Sequence, residues 1–229
     1  MFAAPLGAEQ PTLLFSGIAG ELEANLRAGL SLTSEPCNAP AWRVKRLFRR
    51  ADAELDRAAR ALGYYRMELE KNLQFTPPCW QARFTIQPGE PARLETITIA
   101  FEGEAHEDPA FRKLIQTSPV KKGSQVHHGE YESLKGAIER LAAERGYFDG
   151  RFVRSELKVD PQQNQAAITL HYESGRRYRI GDMTLQQQTY DPALLERYIK
   201  IRAGDPYDAT ALSNTHRALA DSGYFQSVA

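Results

Sequence analysis

The chain has 229 residues, of which 42% are hydrophobic and 25% charged, close to average globular usage. Lys and Arg together number 29, as do Asp and Glu, so a general affinity for nucleic acid or anionic membranes through surplus positive charge is not expected. No apolar run approaches the roughly 20 residues of a membrane-spanning helix, and the N-terminal MFAAPLGAEQPT lacks the charged start and long apolar stretch of a signal peptide.

The first part of the chain predicts a strand, two helices and a hairpin. Residues 12–18 are predicted to form a strand that leads into a shorter helix over 21–30. Spacings of three and four then predict a longer helix whose buried stripe is Val44, Leu47, Phe48, Ala51, Leu55, Ala58 and Leu62. Alternation on both sides of the turn TPPC predicts a hairpin of 67–75 and 80–87.

The same order of elements follows a second time. A strand is predicted over 93–101 and a short helix over 108–116, which opens with the helix-start pair Asp-Pro. A longer helix follows, with the stripe Tyr131, Leu134, Ile138, Leu141 and Ala142. A hairpin of 151–159 and 166–173 is predicted around the turn DPQQNQ.

A third copy begins but does not reach its hairpin. We expect a strand over 179–186 and a helix over 191–199, which again opens with Asp-Pro. The next helical stripe is Ala211, Leu212, Thr215, Ala218 and Leu219. We therefore expect this copy to lack its last two strands.

Each longer helix is followed by glycine and two aromatic residues. A glycine can adopt the left-handed conformation that ends a helix, and the next residue then folds back onto the last turn. We expect the second aromatic to lie on the other side of the chain, against the following strand. The three copies of the motif are Gly63, Tyr64 and Tyr65; Gly146, Tyr147 and Phe148; and Gly223, Tyr224 and Phe225.

The repeated unit therefore reads strand–helix–helix–strand–strand. Two helices that cover one face of a three-stranded mixed sheet form a stable two-layer arrangement, so we predict an α+β fold of tandem modules. The expected boundaries are 11–90, 91–174 and an incomplete 175–229.

Cys37 and Cys79 are the two cysteines, and both lie in connecting segments. No histidine lies near them at ligand spacing, so a zinc site is not expected. A disulfide is the interpretation for an exported chain, and two free thiols are the interpretation for a cytosolic one.

No catalytic or metal site is predicted. His127, His128 and Glu130 lie in a turn before a helix, where adjacent imidazoles diverge, and no nucleophile–base pair stands elsewhere. The Gly-x-x-Gly of SGIAG (16–20) resembles the phosphate-clamping loop of a KH RNA-binding domain, but it joins a strand to a helix instead of two helices. With eleven basic and nine acidic residues over 11–90, a tight turn is favoured over an RNA site. No cofactor is expected.

The basic run RVKRLFRR (43–50) lies on the longer helix of the first module. Because Val44, Leu47 and Phe48 take the buried stripe, the charges cover the outer faces, among them Arg43, Arg46 and Arg50. A solvated face is the default interpretation, and a contact for anionic headgroups or an acidic partner is the alternative.

The order of elements and the Gly-Tyr-aromatic motif resemble the POTRA domain, and most closely the three-domain arm of the TamA family. The resemblance rests on KKGSQVHHGEYESLKGAIERLAAERGYFDGRF (121–152), YESGRRYRIGDMTL (172–185), GDPYDATALSNTHRALADSGYFQSV (204–228) and LDRAARALGYY (55–65). The two cysteines depart from the family pattern, and no barrel follows in this sequence.

The resemblance implies a periplasmic arm of an outer-membrane β-barrel protein, with its signal peptide removed. It implies a non-enzymatic role in the assembly, insertion or translocation of outer-membrane proteins and autotransporters. The implied partners are a TamB-like subunit anchored in the inner membrane, unfolded outer-membrane clients and the protein's own C-terminal barrel. Alternatives are the arm of a two-partner secretion transporter or of a general barrel-assembly subunit, told apart by the number of modules before the barrel.

A three-stranded sheet of this order leaves one hairpin strand at its edge. Such a strand can recruit another extended segment through main-chain hydrogen bonds, with little demand on sequence. The alternative is that these strands are only solvated and that binding uses grooves between modules. The candidate edge residues are Met67, Leu69, Lys71, Leu73, Phe152, Arg154, Glu156 and Lys158.

Overall fold

The structure, a computed structural model, describes residues 10–184, 186–187 and 189–228. The helices are α1 (Gly20–Gly29), α2 (Ala41–Ala61), α3 (Pro109–Thr117), α4 (His128–Glu144), α5 (Pro192–Leu195) and α6 (Ala209–Asp221). The strands are β1 (Thr12–Ser16), β2 (Glu68–Thr76), β3 (Cys79–Gln87), β4 (Arg93–Glu102), β5 (Arg151–Asp160) and β6 (Gln165–Glu173). Short 3₁₀ turns span Ser31–Ser34 and Glu104–His106. Among the described residues, no helix has the length and apolar character needed to cross a membrane.

The first sheet has the order β1-β3-β2. Strand β3 lies at its centre, parallel to β1 and antiparallel to β2, with Phe15 opposite Phe84 and Leu69 opposite Ile86. Every second residue of β3 is buried, because strand side chains alternate between faces and helices α1 and α2 cover one of them. The ring of Phe84 packs 5.1 Å from that of Phe15 and 5.8 Å from that of Phe48, at the centre of this core.

The second sheet repeats the arrangement with the order β4-β6-β5. The buried residues of β6 alternate in the same way; they are Ala166, Ile168, Leu170 and Tyr172. The predicted α+β fold, with helices on one face of three-stranded sheets, is confirmed, and each observed strand of the two sheets lies within a few residues of its predicted range.

By packing, the chain falls into two compact units. The first comprises the chain through Thr96 together with Lys121–Gly129 and Lys158–Ala167, and the second comprises Ile97–Val120, Glu130–Leu157 and the chain from Ile168 onward.

The prediction of a strand over 179–186 is wrong for the described residues in that range. Only an isolated bridge forms there, between Arg179 and Pro206. In both sheets the first strand pairs with the last strand of the hairpin, and the described residues after Gly223 contain no strand that plays this part. The helix predicted over 191–199 is a single turn, Pro192–Leu195. Leu212, expected in a buried stripe, is 42% exposed.

Candidate protein-interaction site

Strand β2 is an edge of the first sheet: β3 lies on one side, and no strand of the described residues lies on the other. The side chains predicted to bind a partner face inward here. Met67, Leu69 and Leu73 pack against the core. Lys71 Nζ reaches helix α2, where it donates to the carbonyl of Phe48 at 2.7 Å and to a carboxylate oxygen of Asp52 at 2.5 Å. Strand β2 therefore offers its backbone N–H and C=O groups, and not these side chains, to a partner at the edge of the sheet.

Strand β5 is the equivalent edge of the second sheet. The ring of Phe152 packs 5.0 Å from that of Tyr172, so this side chain faces the core. Arg154 donates to Glu156 at 3.0 Å. These residues are two positions apart, so they lie on the same face of the strand. Val153, on the opposite face, is 48% exposed. The edge thus combines a charged pair with an exposed apolar side chain, and Lys158 is exposed further along.

The arginines of the basic run on α2 fall into two groups that differ in what they contact. Arg43 pairs with Glu35 at 2.9 Å, and Arg50 lies 3.8 Å from Glu54, so these two cations are matched by carboxylates. Arg46 instead lies over the ring of Trp42, 5.3 Å from its centroid.

The two cysteines are joined. The Cys37–Cys79 disulfide, with Cα atoms 5.0 Å apart, ties the segment before α2 to the start of β3. Beside it, the indole of Trp80 donates to the carbonyl of Pro36 at 3.0 Å. Together they hold the hairpin end of the first sheet against the start of α2.

The end of α2 is joined to the chain that follows β3 by a set of backbone hydrogen bonds, which we call the first clamp. The carbonyl of Gly63 accepts from the amide of Ala92 at 2.8 Å, and the carbonyl of Ala92 accepts from the amide of Val126 at 2.8 Å. The side-chain amide of Gln125 donates from Nε2 to the carbonyl of Leu62 at 2.6 Å. Gly63 has φ +82°, and a Cβ there would lie 2.7 Å from the carbonyl oxygen of Val126.

The end of α4 carries the same set, the second clamp. The carbonyl of Gly146 accepts from Tyr178 at 2.8 Å, and the carbonyl of Tyr178 accepts from Tyr207 at 2.8 Å. Here Arg177 takes the capping role, donating to the carbonyls of Arg145 at 2.7 Å and Tyr207 at 2.8 Å. Gly146 also has φ +82°, and a Cβ would lie 2.6 Å from that of Tyr207.

The clamps give the Gly-Tyr-aromatic motif a second role that sequence reasoning missed. The glycine ends its helix, and its bare Cα also admits the loop of the next repeat. The hydrogen-bond partners of the two clamps come from two pairs of matching segments, which the sequence repeats. These are PARLE (91–95) with RRYRIG (176–181), and KKGSQV (121–126) with RAGDPY (202–207).

Asp108 lies at the centre of an ion cluster beside the second clamp. It is 7% exposed, and it accepts from Arg145 at 2.5 Å, from the phenol of Tyr147 at 3.2 Å and from the amide of Ala110 at 3.0 Å. Burial raises the pKa of Asp108, but these hydrogen bonds and the charge of Arg145 outweigh it and hold the pKa below its ordinary value. Burial, together with the charge and hydrogen bond of Asp108, raises the pKa of Tyr147 to about 12.

An open cavity of about 790 Å³ adjoins this cluster. Its charged walls combine Asp108, Glu104 and Glu107 with Arg145, Arg176, Arg177 and Arg179. Both signs of charge line the cavity, and Arg145 and Arg177 are already bonded to protein groups.

The histidine pair takes part in side-chain contacts at the first clamp. His127 Nε2 lies 3.2 Å from a carboxylate oxygen of Glu21, and His128 Nε2 lies 2.7 Å from the hydroxyl of Tyr65. Among the described residues, no group of three His, Cys, Asp or Glu side chains is placed to hold a metal ion.

Two family models match the sequence. Residues 14–88 match the model described as POTRA domain TamA domain 1. Residues 178–229 match the POTRA model described as surface antigen variable number repeat.

Similar solved structures include POTRA domains 3–5 of BamA from Haemophilus influenzae, at 17% identity and a TM-score of 0.45, covering 97% of this chain and 88% of that one. The N-terminal domain of Omp85 from Thermosynechococcus elongatus matches at 16% identity and a TM-score of 0.36, with coverage of 95% and 87%. POTRA domains 1–3 of the periplasmic domain of Omp85 from Anabaena match at 13% identity and 0.37, with coverage of 96% and 86%.

Proposed function

Since the chain carries POTRA domains, the first matched at residues 14–88 by the model of TamA domain 1, we propose that it is the periplasmic arm of an outer-membrane assembly protein of the TamA type. In this role it is a scaffold and not an enzyme. It assists the insertion or translocation of outer-membrane proteins, and its partners are a TamB-like subunit and unfolded clients.

The observation that carries this proposal is the edge position of β2 and β5. An edge strand offers alternate N–H and C=O groups to any extended segment, so one surface serves many client sequences. Because the side chains of Leu69 and Leu73 are committed to the core, recognition at β2 depends on main-chain hydrogen bonds. The pair of Arg154 and Glu156 on β5 discourages indiscriminate pairing of that edge.

We also propose that the repeats form three modules, at 11–90, 91–174 and 175–229. The two sheets and the two clamps support this division, since each clamp joins the end of one repeat's second helix to the start of the next repeat.

The proposal is tested by amide hydrogen exchange on this chain with two probes: the C-terminal periplasmic part of a TamB-like protein, and an extended peptide from an outer-membrane barrel strand. Augmentation protects every second amide of 68–76 or 151–160, because the other amides already bond to the central strand. The amides of β3 and β6 stay unchanged.

A matched peptide whose alternate amides are N-methylated keeps every side chain but loses the donors on its pairing side. It is expected to give no protection. Equal protection by both peptides, or protection confined to helices, would show that binding uses side chains and would refute augmentation. Absence of protection with every probe would refute the proposed docking role of this part of the chain.

The match at 178–229 is to a general POTRA model, so a two-partner secretion arm or a general barrel-assembly subunit is the second candidate. The number of modules before the barrel in the complete gene separates these alternatives from a three-module TamA-type arm.

A further inference from the structure

The first turns of α2, together with the side chain of Phe75 at the end of β2, carry an aromatic and basic surface, and the main-chain pairing proposed for the docking edges does not involve these side chains. Residues Ala41–Arg50 contain five cations and no carboxylate. Arg43 and Arg50 are turned toward Glu35 and Glu54, as described above. The other three cations, Lys45, Arg46 and Arg49, are exposed. No carboxylate in the described part of the chain lies within ion-pair distance of these three.

Two large exposed rings lie beside these cations. Trp42 is 63% exposed, and it shares a face with Lys45, Arg46 and Arg49 because residues three, four and seven apart align on a helix. Phe75, at the end of β2, is 44% exposed, and Lys45 Nζ lies 5.6 Å from the centre of its ring. We call Trp42, Lys45, Arg46, Arg49 and Phe75 the aromatic-basic surface.

The surface is held in place by the core beneath it. The opposite face of the same helix is buried through Val44, Leu47 and Ala51, and the disulfide ties the segment before α2 to the start of β3. The exposure of Trp42 and Phe75 is therefore a property of the packed fold.

We infer that the aromatic-basic surface binds the anionic headgroups of a phospholipid membrane. Tryptophan, phenylalanine, lysine and arginine are the side chains found at headgroup depth, where rings enter the interface and cations meet phosphates. Tryptophan, phenylalanine and arginine are also common in protein interfaces, whereas lysine is depleted there, so Lys45 is the residue that favours a membrane over an acidic protein. The neutral total charge does not oppose this, because the nearby carboxylates of Glu35, Asp52 and Glu54 are already paired with Arg43, Lys71 and Arg50.

The test is co-sedimentation of the chain with phosphatidylcholine vesicles, with and without phosphatidylglycerol. We expect binding only to the anionic vesicles, weakened by salt. The variant Lys45→Gln/Arg46→Gln/Arg49→Gln is expected to bind about 100-fold more weakly, from about five-fold per charge. The control Arg112→Gln/Lys113→Gln/Arg217→Gln removes the same charge from exposed positions elsewhere and is expected to bind as the parent does.

Tryptophan fluorescence adds a site-specific readout. Trp42 is the exposed one of two tryptophans, since Trp80 is 3% exposed. Binding is expected to shift its emission to shorter wavelength and to allow quenching by brominated lipid, and both effects should vanish in Trp42→Phe. Circular dichroism confirms that each variant is folded. Absence of binding, equal loss in both triple variants, or binding to an acidic peptide such as polyglutamate with none to vesicles would overturn the inference.

Discussion

Arg93 and Arg179 make the same hydrogen bond in successive repeats. Each guanidinium donates from Nη1 to the carbonyl of a loop glycine, Gly123 at 3.0 Å and Gly204 at 2.9 Å. These bonds accompany the two clamps, in which a linker residue joins a helix-ending glycine to the next repeat. The consequence is that stability at the helix ends depends on residues that lie far away in the sequence.

Replacement of Gly63 or Gly146 by alanine is expected to destabilise the protein by more than the cost of a positive φ alone. An ordinary residue at such a φ costs about 1–2 kcal/mol, and here the new Cβ also meets Val126 or Tyr207 at under 3 Å. We expect a total of about 3 kcal/mol or more for each, from the added overpacking. Urea unfolding measures it.

The matched controls are Gly123→Ala and Gly204→Ala. These glycines have φ +84° and +86°, with nothing within 4 Å of the added Cβ. They carry the backbone strain without the clash. Equal losses at Gly63 and Gly123 would show that close packing at the clamp is unimportant.

Arg177→Met is expected to loosen the second clamp. The side chain of Arg177 is 17% exposed and its guanidinium donates to two carbonyls, and hydrogen bonds to charged groups contribute about 1.5–3 kcal/mol. Faster amide exchange at Tyr178 and Tyr207 is the diagnostic measurement. Arg176→Met, at the exposed neighbouring position, should leave both rates unchanged, and a similar effect from it would remove the special role of Arg177.

Asp108→Asn is expected to cost about 3 kcal/mol at neutral pH, because it removes the negative partner of a largely buried arginine. The folded pKa of Asp108 lies below its ordinary value of 3.8, so its stabilising contribution is present above that pH and is lost as the pH falls through the folded pKa. The variant should therefore show a flatter decline of stability in acid. The measurement is thermal unfolding from pH 5 downward. If the stability of the variant declines as steeply as that of the parent, the lowered pKa of Asp108 is contradicted.

Tyr147→Phe tests the same cluster from the alkaline side. Loss of the phenol's bond to the charged Asp108 carboxylate should cost about 1.5–3 kcal/mol at neutral pH. Because the folded pKa is about 12 against an ordinary 10.0, the phenol's contribution is full below pH 10 and is lost as the pH rises toward 12. Spectrophotometric titration of the tyrosines should show a group that ionises near pH 12 and is missing in the variant.

Reduction of the disulfide is expected to destabilise the first sheet and its helices by about 3–4 kcal/mol, the loop-closure value for a separation of 42 residues. The measurement is the melting temperature with and without reductant. The variant Cys37→Ser/Cys79→Ser should have the melting temperature of the reduced parent, and reductant should not change it. An unchanged melting temperature would show that the bond adds nothing to the folded state's stability.

The elements of the two sheets followed from local patterns. The helix ends at Gly63 and Gly146, the Asp-Pro start of α3 and the alternation in β3 and β6 depend on neighbours a few residues away, so the sequence was enough to place them. The strand over 179–186 was predicted wrongly because a strand forms only with a partner, and alternation does not reveal whether that partner is present.

The candidate site was predictable only in outline. Alternation located β2 and β5, and topology then placed them at edges. It did not reveal that Leu69 and Lys71 point toward the helices, or that Arg43 and Arg50 are matched by Glu35 and Glu54 while Arg46 lies over Trp42. Those pairings join segments that local spacing does not relate.

Periodicity and backbone freedom act over a few residues, so the repeat, the fold class and the position of each helix-ending glycine were accessible from the chain before folding. The packing partners of those glycines, the carboxylates that pair with each arginine and the rings that stay exposed depend on the folded chain. Close packing and ion pairing require short distances between atoms, and residues such as Gly146 and Tyr207 come together only when the chain folds.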